Sequence, residues 1–182
     1  MAITNSFPTS VSANSIGANQ WFADDGSNNT TLYQASVGDI ILSDFDDLSF
    51  PSGTVVIDGI RIDVEGAGNP GTDNIPHMKV YNGSSWSSAR ALEGEGSRFT
   101  KGGATFSPGW GGDDVLWGLS WTTTTAAAIQ IKIDTTSFDG GGYFWDWLRV
   151  YVTYHVEERK KKDRIKFKAG KLNINSGHFQ IK

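Results

Sequence analysis

Between Trp147 and Val156 the chain alternates without a break. Leu148, Val150, Val152, Tyr154 and Val156 fall on one side, and Arg149, Tyr151, Thr153 and His155 on the other. A period of two puts successive side chains on opposite faces of an extended strand, so this stretch predicts a long strand with one buried face. The same signature recurs at Ala128–Asp134, where Ile129, Ile131 and Ile133 alternate with Gln130 and Lys132. It recurs again at 54–64, where Ile60, Ile62 and Val64 alternate with Arg61 and Asp63. There Val55 and Ile57 occupy odd positions and Ile60 and Ile62 even ones, so the phase slips at Asp58-Gly59 and predicts a bulge or tight bend.

Shorter apolar runs at 39–42 and 78–81 read as further strands, and Asn82-Gly83 leading to Trp86 reads as a hairpin loop. Val115–Trp121 reads as a buried strand. Residues 87–114 read as loop, and Ala126–Ala128 carries no helix signal. No stretch has the 3.6-residue period of an amphipathic helix. The 22 glycines then punctuate many short strands. The fold expected is all-β: an antiparallel β-sandwich, jelly-roll-like, with a small C-terminal β-appendage.

Charge divides the chain in two. Residues 1–156 hold seven Lys/Arg against 17 Asp/Glu, a charge of −10, whereas residues 157–182 hold nine against three, a charge of +6. So sharp a split marks a body and a tail with different tasks. The expected organisation is an extended N-terminal arm at 1–20, a sandwich at 21–156, a charged linker at 157–163 and a basic β-strand appendage at 164–182.

The tail is patterned. Arg164–Gly170, Lys171–Gly177 and His178–Lys182 repeat an alternating five-residue strand, the first two closed by Ala-Gly and Ser-Gly, at a spacing of seven. Pairing Lys168 with Lys171 and Asn175 with His178 collects Ile165, Phe167, Leu172, Ile174, Phe179 and Ile181 on one face. Three short strands cannot bury that face among themselves, so it reads as an interface for oligomerisation or anchoring. A threefold stack of such segments would serve as well as a meander. Lys160, Lys161, Lys162, Arg164, Lys166, Lys168 and Lys171 read as an electrostatic docking set for acidic surface.

Several chemistries are excluded or disfavoured. With no cysteine there are no disulfides, thiolate metal sites, Fe–S clusters or thiol nucleophiles. Paired acids at Asp24/Asp25, Asp46/Asp47, Glu93/Glu95 and Asp113/Asp114 sit in loop-like sequence, where Asp is an ordinary turn residue, so no catalytic residue is assigned. Asp24-Asp25-Gly26, Asp44/Asp46/Asp47 and Asp113/Asp114 offer oxygen ligands for Ca²⁺ without a recognised spacing, and no metal or cofactor is expected. His77, His155 and His178 lack metal-motif spacing. The tail's lysines could attract phosphate, but the acidic body argues against specific nucleic-acid binding. No apolar run reaches bilayer length and MAITNSFPTS lacks signal-peptide character, so neither membrane nor secretion is expected. Of the tryptophans at 86, 110, 117, 121, 145 and 147, Trp110 and Trp145 stand in Gly-rich sequence as a candidate glycan platform; core packing accounts for the others.

Taken in order, several segments resemble a class of tailed-bacteriophage and prophage virion proteins with one β-sandwich domain. They are Trp21 with the Asp25-Gly26 loop; Phe50-Pro51-x-Gly53 running into Val56–Val64; Gly111-Gly-Asp-Asp-Val-Leu-Trp117-Gly118 with Trp121-Thr122; Ile129-x-Ile131-x-Ile133; and Trp145-Asp146-x-Leu148 leading to Tyr154. The resemblance spans roughly residues 21–156 and excludes the tail. It implies a non-enzymatic tail, fibre or capsid-decoration protein of the virion, assembled in the host cytoplasm. Its partners would be copies of itself, as a homotrimer, and other virion proteins. A carbohydrate-binding module or receptor-binding tip is the alternative.

Overall fold

The computed structural model describes residues 1–13, 32–34, 39–68, 77–91, 104–134 and 143–158. They form two antiparallel sheets. The first contains β1 (Ala2–Ser6), β10 (Tyr143–Val156), β5 (Val55–Gly68) and β8 (Ala104–Gly112) in the order β1-β10-β5-β8, with β3 (Leu32–Gln34) also pairing with β10. The second runs β2-β4-β9-β6-β7, from Ser10–Ala13, Ile40–Ser43, Gln130–Asp134, His77–Tyr81 and Arg90–Ala91. Set β2 and β3 aside, and the other strands, taken in chain order, lie first-eighth-third-sixth in one sheet and second-seventh-fourth-fifth in the other. That is the jelly-roll interleaving of two Greek keys, so the chain is an all-β sandwich as its alternation predicts.

The core lies between the inner faces. Ile60, Ile62 and Val64 of β5 and Leu148, Val150 and Val152 of β10 face Ile40, Leu42, Met78, Val80, Ile131 and Ile133 across the gap. Each such side chain contributes about 1.5–3 kcal/mol when fully removed from water. The predicted slip at Asp58 is present: Thr153 pairs with Gly59 and Tyr154 with Ile57, leaving Asp58 as the extra residue. At Asn82-Gly83, the Asn82 carboxamide oxygen accepts from the backbone of Ser84 and Ser85 at 3.1 and 3.0 Å, and Gly83 takes a φ of +84°. This hairpin lets Tyr81 bridge to Trp86.

Four local expectations are corrected. Residues 2–13 are no arm, because β1 pairs with β10 and β2 with β4, so the amino terminus supplies one strand to each sheet. Residues 104–112 are a strand rather than a loop, paired with β5 from Gly66 to Ile60. Residues 115–121 are not a strand: Trp117 and Gly118 adopt φ values of +59° and +70°, which an extended chain cannot hold. Finally, Thr123–Ala127 forms one helical turn, α1, where none was expected. Thr122 caps it, accepting from the Thr125 N–H, while the Thr125 hydroxyl accepts from the Thr122 N–H.

The loop after β8 clamps β5 at the bulge. The Val115 carbonyl accepts from Ile60 N–H at 2.9 Å, and the Trp117 indole N–H donates to the Ile60 carbonyl at 2.9 Å. The loop comes so close that a Cβ on Gly59 would lie 2.2 Å from the Asp113 carbonyl carbon. Gly59→Ala should therefore cost about 2–3 kcal/mol or more, since fixed backbone must move. At Gly83, where nothing lies within 4 Å, Gly83→Ala should cost only about 1 kcal/mol, for its positive φ. Urea unfolding midpoints would compare the two, and equal losses would contradict the clamp.

Candidate functional site

The long strands β5 and β10 carry a second pattern on the face turned away from the core. Register sets Glu65 opposite Trp147, Asp63 opposite Arg149, Arg61 opposite Tyr151 and Gly59 opposite Thr153. Their partners across the next strand are Asn5 beside Tyr151 and Ile3 beside Thr153. Charged, aromatic and hydroxyl side chains on this ladder meet as cross-strand neighbours.

Their contacts are mutual. The Trp147 indole N–H donates to Glu65 Oε2 at 2.6 Å, and both residues are buried. Phe7 meets Trp147 edge-on at 6.2 Å, and the Arg149 guanidinium lies 4.0 Å over the Phe7 ring. Arg149 also donates to the Tyr151 hydroxyl at 3.3 Å. The Arg61 guanidinium covers the Tyr151 ring at 4.3 Å and pairs with Asp113 at 3.4 Å. Arg61 Nε stands 3.2 Å from Asp63 Oδ1 but is not aimed along a hydrogen bond, so that contact is Coulombic. Thr153 donates to the same Asp113 oxygen at 3.3 Å. The two arginines thus lie flat as a lid over a buried acidic and aromatic layer. Within this layer Asp63 and Asp113 each face Arg61, and Glu65 holds the Trp147 indole.

Asp63 and Glu65 are nonetheless the one pair of buried acids on a strand among the described residues. Neither belongs to the loop pairs Asp24/Asp25, Asp46/Asp47, Glu93/Glu95 and Asp113/Asp114. The odd positions of β5 and β10, Arg61, Asp63 and Glu65 against Trp147, Arg149 and Tyr151, held the signal.

The candidate residues fall out unevenly. Trp110 is fully buried on the core side of β8, its indole N–H donating to the Arg90 carbonyl at 3.1 Å. A sugar cannot stack on a ring without an exposed face, so Trp110 is corrected from glycan platform to core residue. Trp117 and Trp147 are buried as well. The Trp145 side chain lies outside the described residues, as do Asp24, Asp25, Glu93, Glu95 and His178. So do the tail residues Lys160, Lys161, Lys162, Arg164, Ile165, Lys166, Phe167, Lys168, Lys171, Leu172, Ile174, Phe179 and Ile181.

Half-buried Trp86 stacks on Tyr81 at 5.1 Å on the outer side of the second sheet. Lys132, paired with Asp39, lies 5.6 Å over the Trp86 ring. His155 Nδ1 sits 2.8 Å from Asp58, and His77 pairs in register with Asp134. Among the described residues no group of three or more His, Asp or Glu could hold a metal ion. Nor is any described helix long and apolar enough to cross a membrane.

The chain leaves the sandwich at a defined place. The Glu157 N–H donates to the Thr54 carbonyl at 2.8 Å, holding the end of β10 against the start of β5. Ala2, at the start of β1, pairs with Tyr154 two residues before that exit. The described chain therefore ends past β10, between the start of β1 and the start of β5.

If the Trp147–Glu65 bond holds the outer layer, Trp147→Phe should lower stability by about 2 kcal/mol, leaving a buried carboxylate short of a donor. Adding Glu65→Leu should recover part of that loss, and a double-mutant cycle by chemical denaturation reads the coupling. Strict additivity would contradict it. No family model, no curated protein and no solved structure matches the chain.

Proposed function

We propose that this chain is a non-enzymatic structural protein of a tailed-phage virion, a capsid-decoration or fibre component. It assembles by oligomerisation, as a homotrimer, and docks through its basic C-terminal tail onto acidic surface of copies or of other virion proteins. The observation that carries the reading is the division of charge, −10 over residues 1–156 and +6 over 157–182. The sandwich adds support. Its long strands are saturated on both faces, by the core on one and by the arginine–aromatic layer on the other. The alternating tail with its six apolar residues follows directly from the end of β10, between β1 and β5. The segments that resemble phage virion sandwiches point the same way.

Mass photometry of the full chain should show a discrete oligomer. Deleting residues 157–182 should leave a folded monomer with an unchanged β spectrum. A truncated chain that assembles normally would overturn the reading.

A second reading, a glycan-binding module, has one observation in its favour: the half-buried Trp86–Tyr81 pair with Lys132 beside it. An aromatic pair of this kind can stack a sugar ring. It predicts that an array-positive polysaccharide quenches tryptophan fluorescence, and that Trp86→Ala abolishes the quenching. Unchanged quenching in Trp86→Ala would remove the site.

A further inference from the structure

We infer that the outer edge of β1 is where the tail of a neighbouring copy docks, by adding a strand to the first sheet. The inference rests on the tail-mediated assembly proposed above and names its receiving surface.

The edge itself is the first argument. Among the described residues β1 is bonded to β10 on one side and carries no strand on the other. Proteins normally blunt such an edge with lysine, proline, a bulge or inward-pointing charge. The opposite edge of this sheet, β8, contains Pro108 and three glycines. By contrast β1 reads Ala-Ile-Thr-Asn-Ser, with no charge, no proline and no bulge. Ile3 is 51% exposed and Met1 91%, so two of the four exposed large apolar side chains among the described residues belong to this edge.

The flank of the edge is the second argument. The segment after β4 runs along the core-side flank of β1: Asp47 N–H donates to the Ser6 hydroxyl at 3.2 Å and Ser49 N–H to the Thr4 hydroxyl at 3.3 Å. This holds the exposed Asp47 beside the strand, while the exposed Asp44 and Asp46, whose carboxylates accept from the Ser43 and Thr9 hydroxyls at 3.3 and 3.1 Å, lie just past its end. Ile3 and Asn5 point to the other side. An added strand therefore meets Asp47 on one flank, with Asp44 and Asp46 past the strand's end, and the exposed Ile3 on the other.

The tail matches both. Arg164–Lys168 is five residues long, like β1, and places Arg164, Lys166 and Lys168 on one face and Ile165 and Phe167 on the other. Laid along β1, its basic face meets Asp47 and reaches toward Asp44 and Asp46 past the strand's end, while its apolar face lies beside Ile3. Backbone bonds supply affinity in such strand addition, and alternate side chains set the register.

The copy that donates is the neighbour's. A tail that turned back after β10 onto its own β1 would run parallel to β1, because β1 and β10 are antiparallel. A neighbour can approach in the opposite sense and form the more stable antiparallel ladder. Each protomer then both gives and receives a strand, a heterologous contact that closes into a ring when the rotation allows.

The cysteine-free chain makes the test direct. Full-length Ile3→Cys or Asn5→Cys is mixed with full-length Ile165→Cys, Lys166→Cys or Phe167→Cys and oxidised, and Leu116→Cys serves as an exposed control outside the edge. Non-reducing gels should show a covalent pair of chains forming at β1 about tenfold faster than at Leu116, as neighbouring strands at millimolar effective concentration require. Asp46→Asn/Asp47→Asn should raise the concentration of half-dissociation about tenfold. Cross-linking at Leu116 but not at β1, in a chain whose oligomer still depends on 157–182, overturns the docking site and leaves the assembly reading standing. Closure within one chain, seen as an Ile3→Cys/Phe167→Cys double variant that oxidises without a mass increase, overturns the neighbour as donor. A full-length chain that is monomeric throughout overturns the assembly reading itself.

Discussion

The antiparallel pairing of β5 with β10 is the constraint on which the other features rest. Both strands are 14 residues long, and their register runs from Tyr143–Gly68 to Val156–Val55 with two irregularities. With a side-chain period of two, a slip by one residue would send Ile60, Ile62 and Val64 outward and bring Arg61, Asp63 and Glu65 into the core. The pairing is thus fixed from both faces. On one side it presents the apolar wall of the sandwich. On the other it brings Trp147 to Glu65 and Tyr151 under Arg61. The bulge at Asp58 then turns the start of β5 to meet the loop at 113–117, which satisfies both backbone groups of Ile60.

Elements whose side chains alternate were legible in the sequence, and elements held by contacts elsewhere were not. The runs at 54–64, 128–134 and 147–156 announce themselves, because half-burial imposes the pattern. Residues 104–112 do not, since Pro108 and three glycines mask a strand whose pairing is dictated by β5. Residues 115–121 deceive in the opposite direction. Their apolar content reflects a clamp in which Trp117 takes a left-handed backbone to reach the Ile60 carbonyl, and a turn can be as apolar as a strand. The first 13 residues look like an arm because edge strands bury one flank only and need little hydrophobicity. The capping box at Thr122 was open to view as Thr-x-x-Thr but carries no acidic or amide side chain at its third position.

The candidate chemistry was harder to read, because burial rather than residue type decides it. Trp110 stands among glycines, which suggests an open loop, yet the register places it opposite Ile62 and inside the core. Asp63 and Glu65 looked like the solvated side of an amphipathic strand. They are buried with Arg61 beside Asp63 and the Trp147 indole on Glu65, and no local pattern announces that covering. With the long strands occupied on both faces, interaction falls to edges, loops and the tail. The uncharged β1 edge, with Asp47 on its flank, matches the first repeat of the basic tail in length and alternation.

The central claim is that this chain assembles through its tail against acidic body surface. Native mass spectrometry or light scattering of the full chain across dilution and ionic strength addresses it most directly. The account predicts one closed oligomer at low salt that dissociates to monomer as salt shortens the Debye length from about 10 Å at 0.1 M to about 3 Å at 1 M. A chain that stays monomeric at every concentration, or an oligomer indifferent to salt, would contradict it.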